Sequence, residues 1–325
     1  MRLGRTGSVC LGLFLLWTAT WVHAQKLVTS DFRASSGYTF FSPVNSSTSY
    51  LIDNSGAIVQ RWLGNGPAAQ SVYLLPNGNI LRTGIVPAPA FGAAAATGGR
   101  VDEFTWDGSL VWSYTLSNDK YLRHHDIAPL PNGNVLVEAF ELHTSAEAIA
   151  AGRDPARITG ATFYSEAVFE IRPARPSGGE VVWEWQVWDH LVQDFDPSEQ
   201  NYGDVAGHPG SMDINFSLAT PDWLHFNAIA YNPDLDQIAV SSRTLSEIWV
   251  VDHSTTASEA ATHSGGRSDR GGDILYRWGN PQTYRMGTTA DQRLFDQHGV
   301  NWIARGLPGA GSLSSGSSRP RPSTS

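Results

Sequence analysis

The sequence predicts an all-β fold, a β-propeller of four-stranded blades. Three observations carry this expectation. A unit of four short strands recurs along the chain. The units open on hairpins with tight turns such as Pro-Asn-Gly, and each closes on a strand containing Trp. Radial repetition of a four-stranded blade requires such a unit, whereas a β-sandwich would not explain the repeat.

Residues 25–49 read as a polar entry segment. Residues 50–53 and Ile58–Leu63 flank a turn at Asn54-Ser55-Gly56 and form the tail of a first blade. The first full unit begins at Gln70. QSVYLLPNGNILRTG is a hairpin around Asn77-Gly78, and RVDEFTWDGSLVWSY is a second around Asp107-Gly108. The unit returns as HDIAPLPNGNVLVEAF with SEAVFEIRPARPSGGEVVWEWQVW. It returns again as HFNAIAYNPDLDQIAVSSR with SEIWVVD and GGDILYRWG. The recurring aromatic is Trp112, then Trp183 or Trp185, then Trp278. Trp106-Asp107 lies in a hairpin turn of a unit too long for a WD40 blade. QHGVNWIARGLPGAG starts another unit on schedule. The partial propeller is therefore expected over 50–306. Residues 307–325 form a polar Ser/Pro/Arg run that cannot build a core. Three full units with parts of two more fall short of the roughly four to eight blades that close a ring. An incomplete propeller with little turnover is the expectation for this chain.

The chain has 325 residues, a formal charge of −9 and one Cys. Its acidity argues against nucleic acid and anionic membrane surfaces, so an anionic ligand needs a local positive site. Residues 1–24 have the parts of a secretory signal: Arg2 and Arg5, an apolar centre at 11–16, and Val22-His23-Ala24 before Gln25. The apolar run is too short for a membrane span, and no second span follows. Cleavage takes the charge from −9 to −11, because two arginines and no acids leave. It also removes Cys10, which excludes disulfides, a thiolate nucleophile and Cys-ligated zinc. The expected address is secreted, periplasmic in a Gram-negative source, with no membrane association after cleavage.

Aligning the units on LPNG puts Gln70, His125, His225 and His298 at one phase, each opening a first strand. First strands line the channel of a propeller, so the three histidines should meet at one mouth. The stretch 221–252 adds to this. It reads as strands at 225–231, 237–243 and Glu247–Asp252. Pairing Tyr231 with Gln237 sets Arg243 opposite His225, and alternation puts His225 and Asn227 on one face. The insertions 141–165 and 191–223 fall on this rim, and 253–273 on the other. His143 and His208 read as ordinary surface histidines. His253 and His263 read as inert, in a flexible surface loop.

At His124-His125-Asp126 with PLPNGN, at Asp222-Trp223-Leu224-His225-Phe226-Asn227, at Ser241-Ser242-Arg243 and at Gln297-His298, the chain resembles the aryl-sulfate sulfotransferase family. These are secreted bacterial enzymes that use no nucleotide sulfate donor. The motifs span 70–306, in order and in phase. The resemblance implies a six-bladed propeller with its site in the central channel. His298 corresponds to the transiently sulfated histidine, and His125, His225 and Arg243 to ligands of the sulfuryl oxygens. Asn227 matches an amide near the same group, and His124 joins it as a substrate-binding residue. The implied partners are a phenolic sulfate donor and a phenolic acceptor, with no cofactor. The family's last blades and its separate N-terminal β domain are not recognisable in this chain.

The residues suit that chemistry. A neutral imidazole is an effective nucleophile at sulfur and splits the transfer into two steps. Arg243 offers a rigid fork of donors to the sulfuryl oxygens, and His125 and His225 add directional N–H bonds. Either of these two histidines can exchange the phenolic proton near neutral pH. Trp223 and Trp302 read as packing rather than aryl-stacking groups. Two other readings stay open. Three convergent histidines can hold zinc, although the Arg243 guanidinium repels a cation, so no metal is expected. The chain can also be a non-catalytic secreted propeller whose histidines only anchor an anion.

Overall fold

The computed structural model describes residues 29, 31, 33–92, 98–216 and 221–316. The signal expected at 1–24, with Cys10, and residues 317–325 of the polar run lie outside the described residues. Within them the chain is all-β, a succession of antiparallel meanders.

The first sheet has three strands, β1 (Tyr38–Phe41), β2 (Thr48–Asp53) and β3 (Ile58–Leu63). Three four-stranded sheets follow. The second sheet holds β4 (Ala68–Leu74), β5 (Ile80–Ile85), β6 (Gly99–Phe104) and β7 (Leu110–Thr115). The third holds β8 (Tyr121–Pro129), β9 (Val135–Thr144), β10 (Thr162–Pro173) and β11 (Gly179–Gln186). A short parallel pair, β12 (Leu191–Val192) and β13 (Met212–Asp213), bridges the next connection. The fourth sheet holds β14 (Phe226–Asn232), β15 (Gln237–Ser242), β16 (Glu247–Asp252) and β17 (Tyr276–Trp278). The last pair is β18 (His298–Trp302) and β19 (Leu313–Gly316). Leu313–Gly316, placed in the polar run on sequence, is therefore a strand, because β18 supplies a pairing edge. In each meander, sequence neighbours are sheet neighbours, and the first strands β4, β8, β14 and β18 lie side by side.

The repeated turn has repeated chemistry. Gly78 and Gly133 adopt φ of 85° in both LPNGN turns, a region that favours glycine. In each, the preceding Asn side chain accepts from the backbone N–H two residues on, at 3.0 Å for Asn77 and 2.9 Å for Asn132. The recurring Trp has one structural role. The Trp112 indole, on β7, donates to the carbonyl of Gly178 in the next sheet at 2.8 Å, and Trp185, on β11, to that of Gly272 at 2.7 Å. Trp62, on β3, does the same to Thr105 at 3.1 Å. All three indoles are buried. The last strand of each of the first three sheets is thus fastened to the sheet that follows. Trp278, at the same phase on β17, is 44% exposed.

Two loop readings need correction. His143 is 4% exposed rather than on the surface, because its ring stacks on Trp188 with centroids 3.5 Å apart. A first short helix, α1 (Ser145–Ala150), lies between β9 and β10. Segment 253–273 is not a flexible surface loop: it folds back along β11 and contains a one-turn helix, α2 (Ala257–Ala260), capped by Thr256. His208 is exposed, as expected.

Candidate active site

The first strands do not run as simple alternating strands where the site forms. The register of β8 on β9 shifts between Arg123 and Ile127, and that of β14 on β15 between Phe226 and Ala228. His125 and His225 have φ of 41° and 51°, which non-glycine residues rarely adopt. Bulges and left-handed residues re-aim side chains, and they concentrate at functional sites. Both histidines turn the same way at the same phase, and their ring centroids come within 4.7 Å.

The register expected for the third candidate strand pair was one residue off at its turn, since Asn232 rather than Tyr231 faces Gln237. The bulge at Asn227 restores it. Phe226 pairs with Ser242, and the Arg243 N–H donates to the His225 carbonyl at 3.0 Å. Arg243 therefore stands opposite His225 as expected. Asn227 reaches the site as the bulge residue, not by alternation, and its Nδ2 donates to the Gln297 carbonyl at 2.8 Å.

Gln297 anchors the start of β18. It is fully buried, and its side-chain nitrogen lies 3.0 Å from Ser241 Oγ, 2.9 Å from the Ser242 carbonyl and 2.8 Å from the Glu247 carbonyl. The next residue, His298, is exposed, with Nδ1 3.1 Å from the Asp296 carbonyl. A carbonyl only accepts, so Nδ1 carries the proton and Nε2 keeps its lone pair. Asp222 likewise holds His225 Nδ1. Arg243 Nη2 lies 4.0 Å from Asp296 Oδ1.

Beneath the mouth is a buried chain of titratable groups. His124 Nδ1 lies 2.7 Å from His125 Nδ1, and His124 Nε2 lies 2.8 Å from Glu166 Oε2. Glu166 is on β10, and its other oxygen accepts from the Phe226 N–H of β14 at 2.8 Å. His124, expected to bind substrate, is instead fully buried, stacked on Phe140, with both nitrogens engaged. It positions His125 and does not reach the mouth.

Burial, then the charges of His225, Arg123, His298 and Arg243, push the His125 pKa down to about 3. Burial, followed by His125, His225 and Arg123, holds His124 well below its ordinary value. Burial raises Glu166 well above the usual carboxyl range, helped by Asp222 and Glu138. Burial also raises Glu138 and Asp126. The carboxyls under the site thus carry less negative charge than their number implies.

His124, His125 and Glu138 offer donor atoms within 4.8 Å of one another. The buried Arg123 guanidinium shares that pocket and acts on both histidines, which disfavours a cation there. Glu166, Asp222 and Gln297 complete the arrangement. Asp222 and Gln297 fall inside motifs read from the sequence without a role there, and Glu166 falls in no motif. Trp223 is fully buried packing, as expected. A separate cavity of about 860 Å³, lined by Ile248, Tyr276, Trp302 and Leu313, holds none of these groups.

The fold and site define an all-β protein of successive antiparallel meanders, with a histidine-lined site where the first strands meet. The arylsulfotransferase (ASST) family model matches residues 45–259, and the chain belongs to that family, which is one of transferases. The match takes in His125, His225 and Arg243 and ends before His298. No curated protein matches the chain. Among solved structures it is similar to Kuenenia stuttgartiensis hydrazine synthase, at 12% identity and a TM-score of 0.41, covering 75% of this chain and 59% of that one. It is also similar to the dihydro-heme d1 dehydrogenase NirN in complex with DHE, at 12% identity and a TM-score of 0.28, covering 68% of this chain and 43% of that one.

Proposed function

We propose that the protein transfers a sulfuryl group from a phenolic sulfate ester to a phenolic acceptor, without a nucleotide donor, through a sulfohistidine on His298. The observation that carries this reading is the convergence of the candidate residues where the first strands meet. His125 and His225 stand 4.7 Å apart, the Arg243 N–H donates to the His225 carbonyl at 3.0 Å, and Asn227 Nδ2 donates at 2.8 Å to the carbonyl of Gln297, the residue before His298. Four groups that bind or attack an anionic ester are thereby gathered in a member of the arylsulfotransferase family.

In the first step His298 Nε2 attacks sulfur in line, the N–S bond forms, and the S–O bond to the aryl group breaks. Arg243 donates to the non-bridging oxygens, which carry charge through the transition state, and His225, whose Nδ1 is held by Asp222, adds a second donor when its Nε2 also carries a proton. The phenolate needs a proton. With Glu166 protonated, its O–H donates to His124 Nε2, His124 Nδ1–H donates to His125 Nδ1, and His125 Nε2–H faces the site. Giving that proton to the phenolate draws one along the chain and leaves Glu166 as carboxylate. The acceptor phenol reverses every shift as its oxygen takes sulfur from His298. Each imidazole stays neutral, in keeping with the depressed pKa of both rings and the raised pKa of Glu166. Asn227 Oδ1 is buried and has no hydrogen-bond partner among the described residues.

The same reading takes the four-stranded meanders as successive blades around a channel, with the family's six blades as the full count and 50–306 as one propeller domain. It takes 1–24 as a secretory signal and the site as extracytoplasmic. Kinetics with varied donor and acceptor test the mechanism. Parallel double-reciprocal lines and a burst of about one phenol per site support a covalent intermediate. Intersecting lines without a burst would replace it by direct transfer.

A further inference from the structure

A second cluster of titratable groups lies where segment 253–273 crosses the end of β11. His190, the last residue of the one-turn 3-10 helix Val187–His190, is fully buried. Its Nε2 lies 2.8 Å from the Ala260 carbonyl, which only accepts, so this nitrogen carries a proton. Its Nδ1 lies 3.2 Å from Asp273 Oδ1, and His263 Nδ1 lies 2.6 Å from the same oxygen. In the neutral tautomer that Ala260 selects, His190 Nδ1 is a lone pair aimed at a carboxylate oxygen. Two acceptors face to face need a proton or a cation between them. Donor atoms of His190, His263 and Asp273 all lie within 4.8 Å of one another.

We propose that His190, His263 and Asp273 bind a divalent transition-metal ion, best matched by Zn²⁺, which clips segment 253–273 to the end of β11. Two imidazoles and one carboxylate are a donor set zinc accepts, with a further position for water. The Ala260 carbonyl serves as the outer partner that ligating histidines commonly have, fixing tautomer and ring orientation. The neighbourhood is built to hold His190. Trp185 stacks parallel to its ring at 6.0 Å, and the same indole donates to Gly272. A Cβ on Gly272 would lie 2.5 Å from His190 Nε2 and 2.0 Å from the Ala260 oxygen, so the close approach requires glycine there. Arg270 works against affinity. Its Nη2 and Asp273 Cγ both lie within 3.5 Å of a Cβ placed on Gly210. Arg270→Ala should therefore tighten binding.

The test uses intact protein stripped with a chelator and titrated with Zn²⁺ and with Co²⁺. The wild type is expected to take up one Zn²⁺ saturably, and to melt on the order of 5 °C higher with Zn²⁺ at a hundredfold its Kd. Co²⁺ should give visible absorption bands. His263→Ala changes a ring that is 64% exposed and should fold normally, and Asp273→Asn keeps the side-chain shape. Both should lose the bands and weaken Zn²⁺ binding at least tenfold, while His298→Ala keeps both. The proposal is overturned by a wild type with no saturable uptake, which leaves a proton between His190 and Asp273. It is equally overturned by uptake unchanged in His263→Ala and Asp273→Asn, or lost only in His298→Ala.

Discussion

The Nδ1 atoms of His124 and His125 lie 2.7 Å apart, so one carries a proton and the other does not. Which one does depends on Glu166, at the far end of His124. Glu166→Gln keeps the shape of the chain but cannot release a proton, and it freezes His125 in one tautomer. It should lower kcat/KM by about 10²-fold, the low end for general acid–base catalysis. The loss should grow as the leaving phenol becomes more basic, because a good leaving group needs the proton less. An equal loss across a series of aryl sulfates would reduce Glu166 to a packing role.

Arg243 is held opposite His225 by a backbone hydrogen bond, and its fork cannot be reproduced by an ammonium. Arg243→Lys should cost about 2–4 kcal/mol in transition-state stabilisation, by analogy with the loss of one oxyanion donor. Arg267→Lys, beside Asp236 on the opposite side of the fourth sheet, should leave kcat/KM within twofold of wild type. Similar values for the two variants would take Arg243 out of the site.

The indole fastenings set stability. Trp112→Ala removes a fully buried ring and should cost about 3–5 kcal/mol. Trp112→Phe retains most of the burial but leaves the Gly178 carbonyl without its donor, at about 1–3 kcal/mol. Trp278→Ala should cost less than about 1 kcal/mol, as for most surface changes. Urea unfolding midpoints rank the three, and a Trp278 variant as unstable as Trp112→Ala would refute the fastening account.

His253 was expected to be inert, yet it joins two sheets, with Nδ1 2.8 Å from Asp236 and Nε2 2.9 Å from Glu170. Burial lowers its pKa, but the bonds to Glu170 and Asp236 outweigh this and raise it above its ordinary value. Its contribution is full below about pH 6.5, the unfolded value, and is lost as pH rises through the raised folded value. Burial raises Glu170, but bonds from His253, Asn134 and Asn132 win and hold it down to about 2. That contribution is present above its unfolded value of 4.5 and is lost as pH falls through about 2. The melting temperature should therefore fall on the alkaline side in wild type and flatten there in His253→Gln. An unchanged alkaline limb would contradict the assignment.

The repeat was legible because turn chemistry and the recurring Trp are local signals. The LPNGN turns and the strands Glu247–Asp252 and Ile58–Leu63 stand where their residues placed them. What alternation could not show was the bulge, which adds one residue at Asn227 and cancels a one-residue error at the Asn232 turn. Local patterning also misjudged His143, whose burial depends on Trp188 arriving from another element. Glu166 carried no signal at all. Its role exists only because β10 of one sheet faces β14 of the next.

The central claim concerns His298, whose Nδ1 is held by the Asp296 carbonyl and whose Nε2 is free to attack. Intact protein mixed with an aryl sulfate and no acceptor, then digested and sequenced by mass spectrometry, tests it most directly. The account predicts one added SO₃ on the peptide containing His298, labile to acid, discharged by a phenol, and missing in His298→Ala. It predicts slower but detectable labelling in His125→Ala and His225→Ala. Phenol release with no adduct on His298, or an adduct that persists in His298→Ala, would contradict it.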